Sequence, residues 1–356
     1  MTKRERLERV FAGEAPDRPP MLGGWIASPR MLLEITGETE EAYKNDPEAV
    51  AIKAYKILET DGLIGVFTTR DVDVYRCVDQ SSYLKSSKGI SFEEAECMVE
   101  ELPSPGDYER NFDFEKNYAA HKNHVITMQK KCGDMVYMPA HWGAGIAASW
   151  YGEYGYENYF LLIGLRPDLG AKLLKLGGAM GRCSSSLVAK SVEEGIFPKA
   201  VLMGEDICTQ RGPMFSIDFM EEHLEPALTY GLEPLLDAGC RPVWHCDGDV
   251  RPMFPLLLRS GIQGFQGFQP ECGMALEEIV KMKTREGKKL LIFGPLSVTT
   301  ELPVFTPEEV RKRVRDSAAA CKGEADLVFF TANTINPDVP LENLLAFYDE
   351  VKKVKY

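Results

Sequence analysis

The chain alternates short apolar runs with segments of helical periodicity along almost its whole length. Each apolar run ends in a turn and is followed by an amphipathic stretch, which is the pattern of parallel βα units. Eight runs have this form and are predicted as strands: residues 20–25, 63–67, 135–139, 200–205, 242–247, 261–269, 290–293 and 326–331.

Helix boundaries are predicted from capping residues, glycine and proline. A side-chain cap or a proline in the first turn suits the unpaired amides of a helix start, and glycine suits a helix end. The predicted starts are Asp46-Pro47, Thr306-Pro307 and Pro340, the predicted ends are Gly62 and Gly323, and the longer helical stretch 213–239 is predicted to break near Pro226 and Gly231.

Eight strands that alternate with helices and are apolar on both faces favour an α/β fold of the (β/α)8 TIM-barrel type. A Rossmann sheet is disfavoured because "LGGWIASP" (22–29), after the first strand, lacks the G-x-G-x-x-G turn. Residues 75–131 carry few periodic signals and are interpreted as an insertion or lid between strands two and three. We therefore expect one barrel domain spanning residues 1–356.

Composition narrows the class of protein. The 356 residues are 44% hydrophobic and 27% charged, and no apolar run is long enough to cross a bilayer. A net charge of -13 disfavours nucleic acid as a partner. Nine cysteines at irregular spacing, without a secretory signal, indicate reduced thiols and a cytoplasmic location.

Polar residues cluster where the predicted strands end, which is where a barrel of this type carries its chemistry. Strand four ends in Glu205 and Asp206, and strand five runs into His245, Cys246 and Asp247. Because side chains alternate along a strand, His245 and Asp247 share one face, and Cys246 is expected to pack under a helix. The H-x-D pair can therefore act on one ion or one substrate.

Each of these residues also has a purely structural interpretation. His245 could be a hydrogen-bonded core residue, and Asp206 could cap the following helix. Cys272 could be a small buried hydrophobe. The aromatic stretch "WYGEYGYENYF" (150–160) fits a helix packing face as well as a wall for a flat ligand. Gln266 and Gln269, in contrast, favour a polar cavity, because buried amides without partners are costly.

Four blocks of the sequence resemble the uroporphyrinogen decarboxylase superfamily, in its order and spacing and over almost the whole chain. They are "TKRERLERVFAGEAPDRPP" (2–20), "GEDICTQRGPMFS" (204–216), "HCDGDVRP" (245–252) and "PLENLLAFYDEV" (340–351). The resemblance implies the barrel fold and one of two activities: porphyrinogen decarboxylation, or methyl transfer involving a corrinoid protein.

Departures from the family patterns discriminate between these activities. The decarboxylases have an arginine-rich segment after strand one, whereas this chain offers only Arg30, which disfavours a substrate with many carboxylates. The thiol-using methyltransferases hold zinc through H-x-C and a later cysteine. Here Asp247 and Asn333 stand at about those places, and such oxygen donors make a harder site that suits a free thiol poorly.

The resemblance therefore implies a methyltransferase that takes a methyl group from an O-methyl donor, such as a methoxylated aromatic, and passes it to the Co(I) corrinoid of a partner protein. The alternatives are a decarboxylase of a porphyrinogen or smaller acid, and a non-catalytic binding protein. Zinc held by His245, Asp247 and either Glu271 or Cys272 is one form of the site, and a metal-free site is the other. A homodimer is compatible with both.

The candidate site residues divide by role. The catalytic candidates are His245, Asp247, Glu205 and Asp206; the substrate-binding candidates are Trp25, Trp142, Gln210, Gln266, Gln269 and Asn333; the metal-ligand candidates are His245, Asp247, Glu271 and Cys272.

Overall fold

The computed structural model describes residues 1–69, 71–73 and 89–356. Eight parallel strands lie where the sequence predicts them. They are β1 Leu22–Gly23, β2 Gly62–Leu63, β3 Val136–Tyr137, β4 Ala200–Gly204, β7 Arg241–His245, β8 Gly264–Gln266, β9 Leu291–Leu296 and β10 Asp326–Thr331. They form two sheets with the orders β1-β2-β3 and β10-β9-β8-β7-β4, which confirms the α/β class. Two short strands that the sequence analysis missed, β5 Cys208–Thr209 and β6 Gly212–Pro213, form an antiparallel hairpin after β4.

Contacts at both edges connect the two sheets. Met21, next to β1, forms a parallel bridge with Phe329 of β10. On the other side, the His141 amide beyond β3 donates to the Leu202 carbonyl of β4 at 2.8 Å. The three-stranded sheet is therefore connected to the five-stranded sheet at both of its edges.

Helices cover the outer side of the strands. The α-helices are Lys3–Phe11, Pro29–Thr36, Glu40–Asn45, Pro47–Ile57, Phe92–Glu100, Pro105–Asn111, Phe114–Cys132, Tyr151–Tyr154, Tyr156–Leu165, Pro167–Glu193, Ile217–Phe219, Glu225–Asp237, Phe254–Ser260, Leu276–Ile279, Pro307–Cys321 and Leu341–Val351. A π-helical turn, Met220–Leu224, and two 3-10 turns, Arg251–Met253 and Pro270–Cys272, complete the described elements. None of the described helices is both long and apolar enough to cross a membrane.

The predicted helix starts are confirmed. Asp46 accepts from the Ala49 amide ahead of Pro47, Thr306 forms a capping box with Glu309, and Pro340 precedes the last helix. The predicted end at Gly62 is wrong, since that helix stops at Ile57 and Gly62 belongs to β2. Glu59 makes the turn instead, in a left-handed conformation with φ 60.

The break predicted near Pro226 is confirmed in part, because the π-helical turn Met220–Leu224 interrupts the stretch just before helix Glu225–Asp237, whereas the break predicted at Gly231 is wrong. Pro226 lies in the first turn of helix Glu225–Asp237, where its missing amide costs nothing. A Cβ at Gly231 would lie 1.6 Å from the Gly145 carbonyl oxygen. Gly231 is therefore required for close packing of this helix against the loop after β3, and it interrupts nothing.

The insertion predicted over residues 75–131 is helical where the structure describes it. Helix Phe92–Glu100 begins with a capping box formed by Ser91 and Glu94. Residues 74–88 lie outside the described part of the chain, and the role of the segment as a lid stays a prediction.

An ion-pair network connects the first of the four sequence blocks, residues 2–20, to Asp61. The buried carboxylate of Asp61 accepts from Arg6 at 2.5 Å, from Arg18 at 2.8 Å and from the Met21 amide at 2.9 Å. Arg6 also donates to Asp17. The N-terminal helix and β1 are thus attached to the start of β2 through one buried anion.

Replacing Asp61 by alanine should strongly destabilise the fold. Removing one member of a buried ion pair leaves the other charge uncompensated, which costs about 3–5 kcal/mol. Urea unfolding should show this loss. Asp134→Ala, which removes an exposed partner of Lys3, should change the free energy of unfolding by about 1 kcal/mol or less, and equal losses for the two variants would contradict the assignment.

A second, partly buried network joins helix Phe114–Cys132, helix Pro167–Glu193 and the loop after β3. Ser191 Oγ donates to the Val188 carbonyl, so it accepts from His121 Nε2 at 3.2 Å. His121 Nδ1 must then accept from His141 Nε2, also at 3.2 Å. Burial, and secondarily nearby histidines, lowers the pKa of His121 from 6.5 to about 4 and that of His141 to about 3.

Acid should therefore destabilise the protein between pH 6.5 and 4. In that range the unfolded chain binds protons at these rings and the folded chain does not, so the free energy of unfolding falls as the pH falls. His121→Gln, which keeps a donor and an acceptor without an ionisable ring, should flatten this dependence in urea titrations. His223→Gln, at a ring that lies outside this network, should leave it unchanged.

Candidate active site

The candidate site lies at the carboxyl ends of β4 and β7. These strands pair in parallel with Gly204 opposite His245, and the Glu205 amide donates to the His245 carbonyl at 3.2 Å. A Cβ at Gly204 would lie only 2.0 Å from that carbonyl oxygen. A glycine at the last position of β4 therefore permits the approach that brings the acidic residues after β4 beside His245.

Three side chains converge at this point. His245 Nε2 lies 3.7 Å from Asp206 Oδ1 and 3.9 Å from Asp247 Oδ1. The ring is almost buried, whereas both carboxylates are about one-third exposed, at 38% and 34%. We call Asp206, His245 and Asp247 the triad.

The triad has the chemistry and approximate size of a metal site. One ligand atom from each residue lies within 4.8 Å of the other two. Zinc–ligand bonds of about 2.0–2.2 Å would put two ligand atoms roughly 3.4 Å apart in a tetrahedron. The two separations from His245 Nε2 are a few tenths of an ångström wider, and the two carboxylate oxygens lie within 4.8 Å of each other, so side-chain shifts would bring the three atoms to metal-ligand spacing.

Asn333 orients Asp247. The Asn333 side-chain amide donates to both carboxylate oxygens of Asp247, at 2.9 and 2.7 Å. The side-chain oxygen of Asn333, Oδ1, in turn accepts from the Thr334 amide at 2.6 Å. Burial raises the pKa of Asp247, the nearby His245 opposes that shift, and the charge of Asp206 adds to it.

Gln266 and Gln269 make hydrogen bonds beside the triad, and the polar cavity expected around them stays a prediction. Gln266 is buried at the end of β8, where its oxygen contacts His245 Nδ1 and its NH2 group donates to two backbone carbonyls. Gln269 accepts from the Gly248 amide at 2.6 Å.

Glu205 faces the loop after β3. Its carboxylate accepts from the Ala148 amide at 3.0 Å and from the Ser149 hydroxyl. Burial raises the pKa of Glu205 to about 7; hydrogen bonds from Ser149 and Ala148 oppose the shift, and the charge of Asp206 adds to it. Near neutral pH the Glu205 carboxyl is therefore protonated in a substantial fraction of the molecules.

Two tryptophans lie against the imidazole. The rings of Trp25 and Trp142 contact His245 with centroid separations of 5.8 and 5.5 Å. Trp25 is buried and also stacks on Phe67, whereas Trp142 is 40% exposed. The histidine thus has an aromatic side and an acidic side.

Several predicted residues lie outside this arrangement. Glu271 accepts from the Thr299 and Thr300 hydroxyls, and the Cys272 thiol is directed at Gln269. Neither belongs to the cluster of potential ligand atoms in the described structure, where Asp206 takes the third place. Gln210 is exposed next to the β5–β6 hairpin.

The structural alternatives have different outcomes. Asp206 does not cap the next helix, because Ser216 does so. Cys246 is buried, its thiol donates to the Asp247 carbonyl, and burial raises its pKa, as expected for a structural cysteine. The described cysteines are all free thiols. Arg30 is exposed and pairs with Asp73 and Glu40.

The aromatic stretch 150–160 mainly packs against its surroundings. It forms helix Tyr151–Tyr154 and the start of helix Tyr156–Leu165. Tyr159 is fully buried, and its hydroxyl donates to the Ala148 carbonyl. The sequence analysis missed Ala148 and Ser149, which bind Glu205, because a loop amide and a lone serine carry no recognisable pattern.

The fold is similar to that of a solved methyltransferase from Methanosarcina mazei. The two chains align over 99% of each, with a TM-score of 0.64 and 14% sequence identity. No protein-family model matches the chain, and no curated protein matches its sequence. At this identity the likeness establishes a shared fold.

Glu205→Gln should stabilise the metal-free protein at pH 8 and change it little at pH 5. A carboxyl whose pKa is raised on folding contributes stability at low pH that is lost as the pH rises from its ordinary value of 4.5 through 7. Glutamine keeps the shape without the charge. Urea unfolding at both pH values, with Glu271→Gln as the exposed control, tests this, and an equal change at the two pH values would argue against the raised pKa.

Proposed function

We propose that this chain is a methyltransferase that moves a methyl group from a small O-methyl donor, such as a methoxylated aromatic, to the Co(I) corrinoid of a partner protein. The observation that carries the proposal is the triad, with Trp25 and Trp142 beside its histidine. A cation held by the two carboxylates and the imidazole would stabilise the departing oxygen, and aromatic rings suit a flat donor.

We infer further that the eight parallel strands form a closed (β/α)8 barrel with the triad at its mouth. The Met21–Phe329 bridge and the His141–Leu202 hydrogen bond support this closure. In such barrels the carboxyl ends of the strands carry the reactive groups, and the triad lies at the ends of two neighbouring strands.

In the proposed reaction the methyl carbon forms a bond to cobalt while its bond to the ether oxygen breaks. The electron pair of the broken bond stays on the oxygen, so negative charge develops there. A phenolate leaves slowly unless an acid or a cation within contact distance stabilises that charge. The triad is the part of the site that we assign to this task.

His245, Asp206 and Asp247 would hold a divalent cation, with zinc as the candidate, and that ion would supply Lewis-acid stabilisation of the leaving oxygen. Asn333 fixes the carboxylate of Asp247. Glu205 keeps the 148–149 backbone in place, and its raised pKa limits the negative charge beside the triad.

His245→Ala should lower the rate of methyl transfer by about two decades or more, comparable to the loss of a strong oxyanion donor. The measurement is methylcobalamin formation with a methoxylated aromatic and a Co(I) corrinoid protein. His223→Ala removes a histidine distant in sequence and should keep the wild-type rate. Wild-type turnover by His245→Ala would exclude this role, and release of carbon dioxide without a corrinoid would favour a decarboxylase.

Metal analysis separates the triad from the ligand set predicted by sequence. Asp206→Asn should reduce bound zinc from stoichiometric to substoichiometric, because it removes a charged ligand. Cys272→Ser should retain stoichiometric metal, since its thiol lies outside the cluster. Plasma mass spectrometry of protein purified without chelator measures both, and the opposite ranking would return Cys272 to the ligand set.

A further inference from the structure

We propose that Gln266 is a positioning residue that fixes the tautomer of His245 and so presents its Nε2 atom, unprotonated, to the two carboxylates. The inference deepens the proposed function, on which it rests for its metal.

The orientation of the Gln266 amide is set by the end of β10. The NH2 group lies 2.8 Å from the Thr331 carbonyl oxygen and 2.9 Å from that of Ala332. Carbonyl oxygens only accept, so the nitrogen of the amide must face them. The reversed amide would bring oxygen against two oxygens in a buried position and leave both carbonyls without donors.

The remaining atom of the amide then determines the protonation of His245. The Gln266 oxygen contacts His245 Nδ1, and an amide oxygen accepts but cannot donate. Nδ1 must therefore carry a hydrogen. In the neutral ring the lone pair consequently lies on Nε2, the nitrogen that faces Asp206 and Asp247.

Strand register explains why a glutamine can act here. Gln266 is the residue opposite His245 in the parallel pairing of β8 with β7, so their side chains lie on the same face. At 3% exposed, Gln266 has no access to bulk water that could replace either of its contacts. Its interactions thus connect β7 with the end of β10 across the site.

This geometry has a direct consequence for cation binding. A lone pair on Nε2 beside two carboxylate oxygens is repelled by them unless a proton or a cation lies between. Gln266 holds the ring with Nε2 directed between the two carboxylates, as the hydrogen-bond partners of metal-binding histidines generally do. Gln266 therefore orients one ligand of the divalent ion that the triad would hold, without itself touching the ion.

Histidine nitrogen resonances test the assignment directly. In metal-free wild-type protein at pH 8, 15N spectra should show His245 protonated at Nδ1, with His245→Ala identifying the signals. Gln266→Met, of similar size, removes the acceptor and should shift the ring towards the Nε2-protonated form. It should also weaken Zn²⁺ binding, measured by calorimetry with the metal alone, by about 10–100-fold.

Gln263→Met is the matched control, since that glutamine precedes β8 and its amide donates to the carbonyl of Pro242, three residues before His245; it should keep both the tautomer and the Zn²⁺ affinity. If Gln266→Met fails to fold, Gln266→Glu, protonated in this buried place, supplies the second variant, for which we expect the Nδ1-protonated ring to be retained. An unprotonated Nδ1 in wild-type protein, or an unchanged tautomer in folded Gln266→Met, would overturn the proposal. Because the tautomer is read without donor or corrinoid, this result stands apart from any failure of methyl transfer.

Discussion

The candidate site depends on the backbone contact between the ends of β4 and β7. Gly204 lies against the His245 carbonyl so closely that no side chain fits between them. This contact sets the distance between the acidic residues after β4 and the imidazole of β7, which belong to segments about forty positions apart in the chain. The other site residues then act on that pair: Gln266 and Asn333 from one side, and Trp25 and Trp142 from another.

Electrostatics and hydrogen-bond direction work together in this arrangement. Two carboxylates that are about one-third exposed, beside a nearly buried imidazole, create a place where positive charge is favoured. Burial raises the pKa of Asp247 and of Glu205, which shows that the surroundings tolerate negative charge poorly. A bound cation would relieve this conflict, and the amides of Gln266 and Asn333 already hold two of its potential ligands in position.

The sequence was sufficient for features that depend on local periodicity. The eight apolar runs predicted the parallel strands, and His245 and Asp247 come together as expected, although β7 ends at His245 and Asp247 lies in the loop beyond it. Partnerships across strands could not be obtained in this way. Asp206 joins the histidine, and Glu271 turns instead to Thr299 and Thr300, because strand register and loop path decide these contacts. The prediction of a helix break at Gly231 was wrong for a related reason. This glycine allows the loop at Gly145 to pack closely against the helix, and no local sequence pattern reveals such a contact.

The bridge between Met21 and Phe329 has a consequence for how the protein is made. The segment around Met21 is synthesised about three hundred residues before its partner in β10. Until then the edge of the nascent sheet presents unpaired amides and carbonyls, which are prone to pair with other chains. The attachment of helix Lys3–Phe11 to Asp61 joins residues only 55 positions apart, so it can hold that segment in place while translation continues.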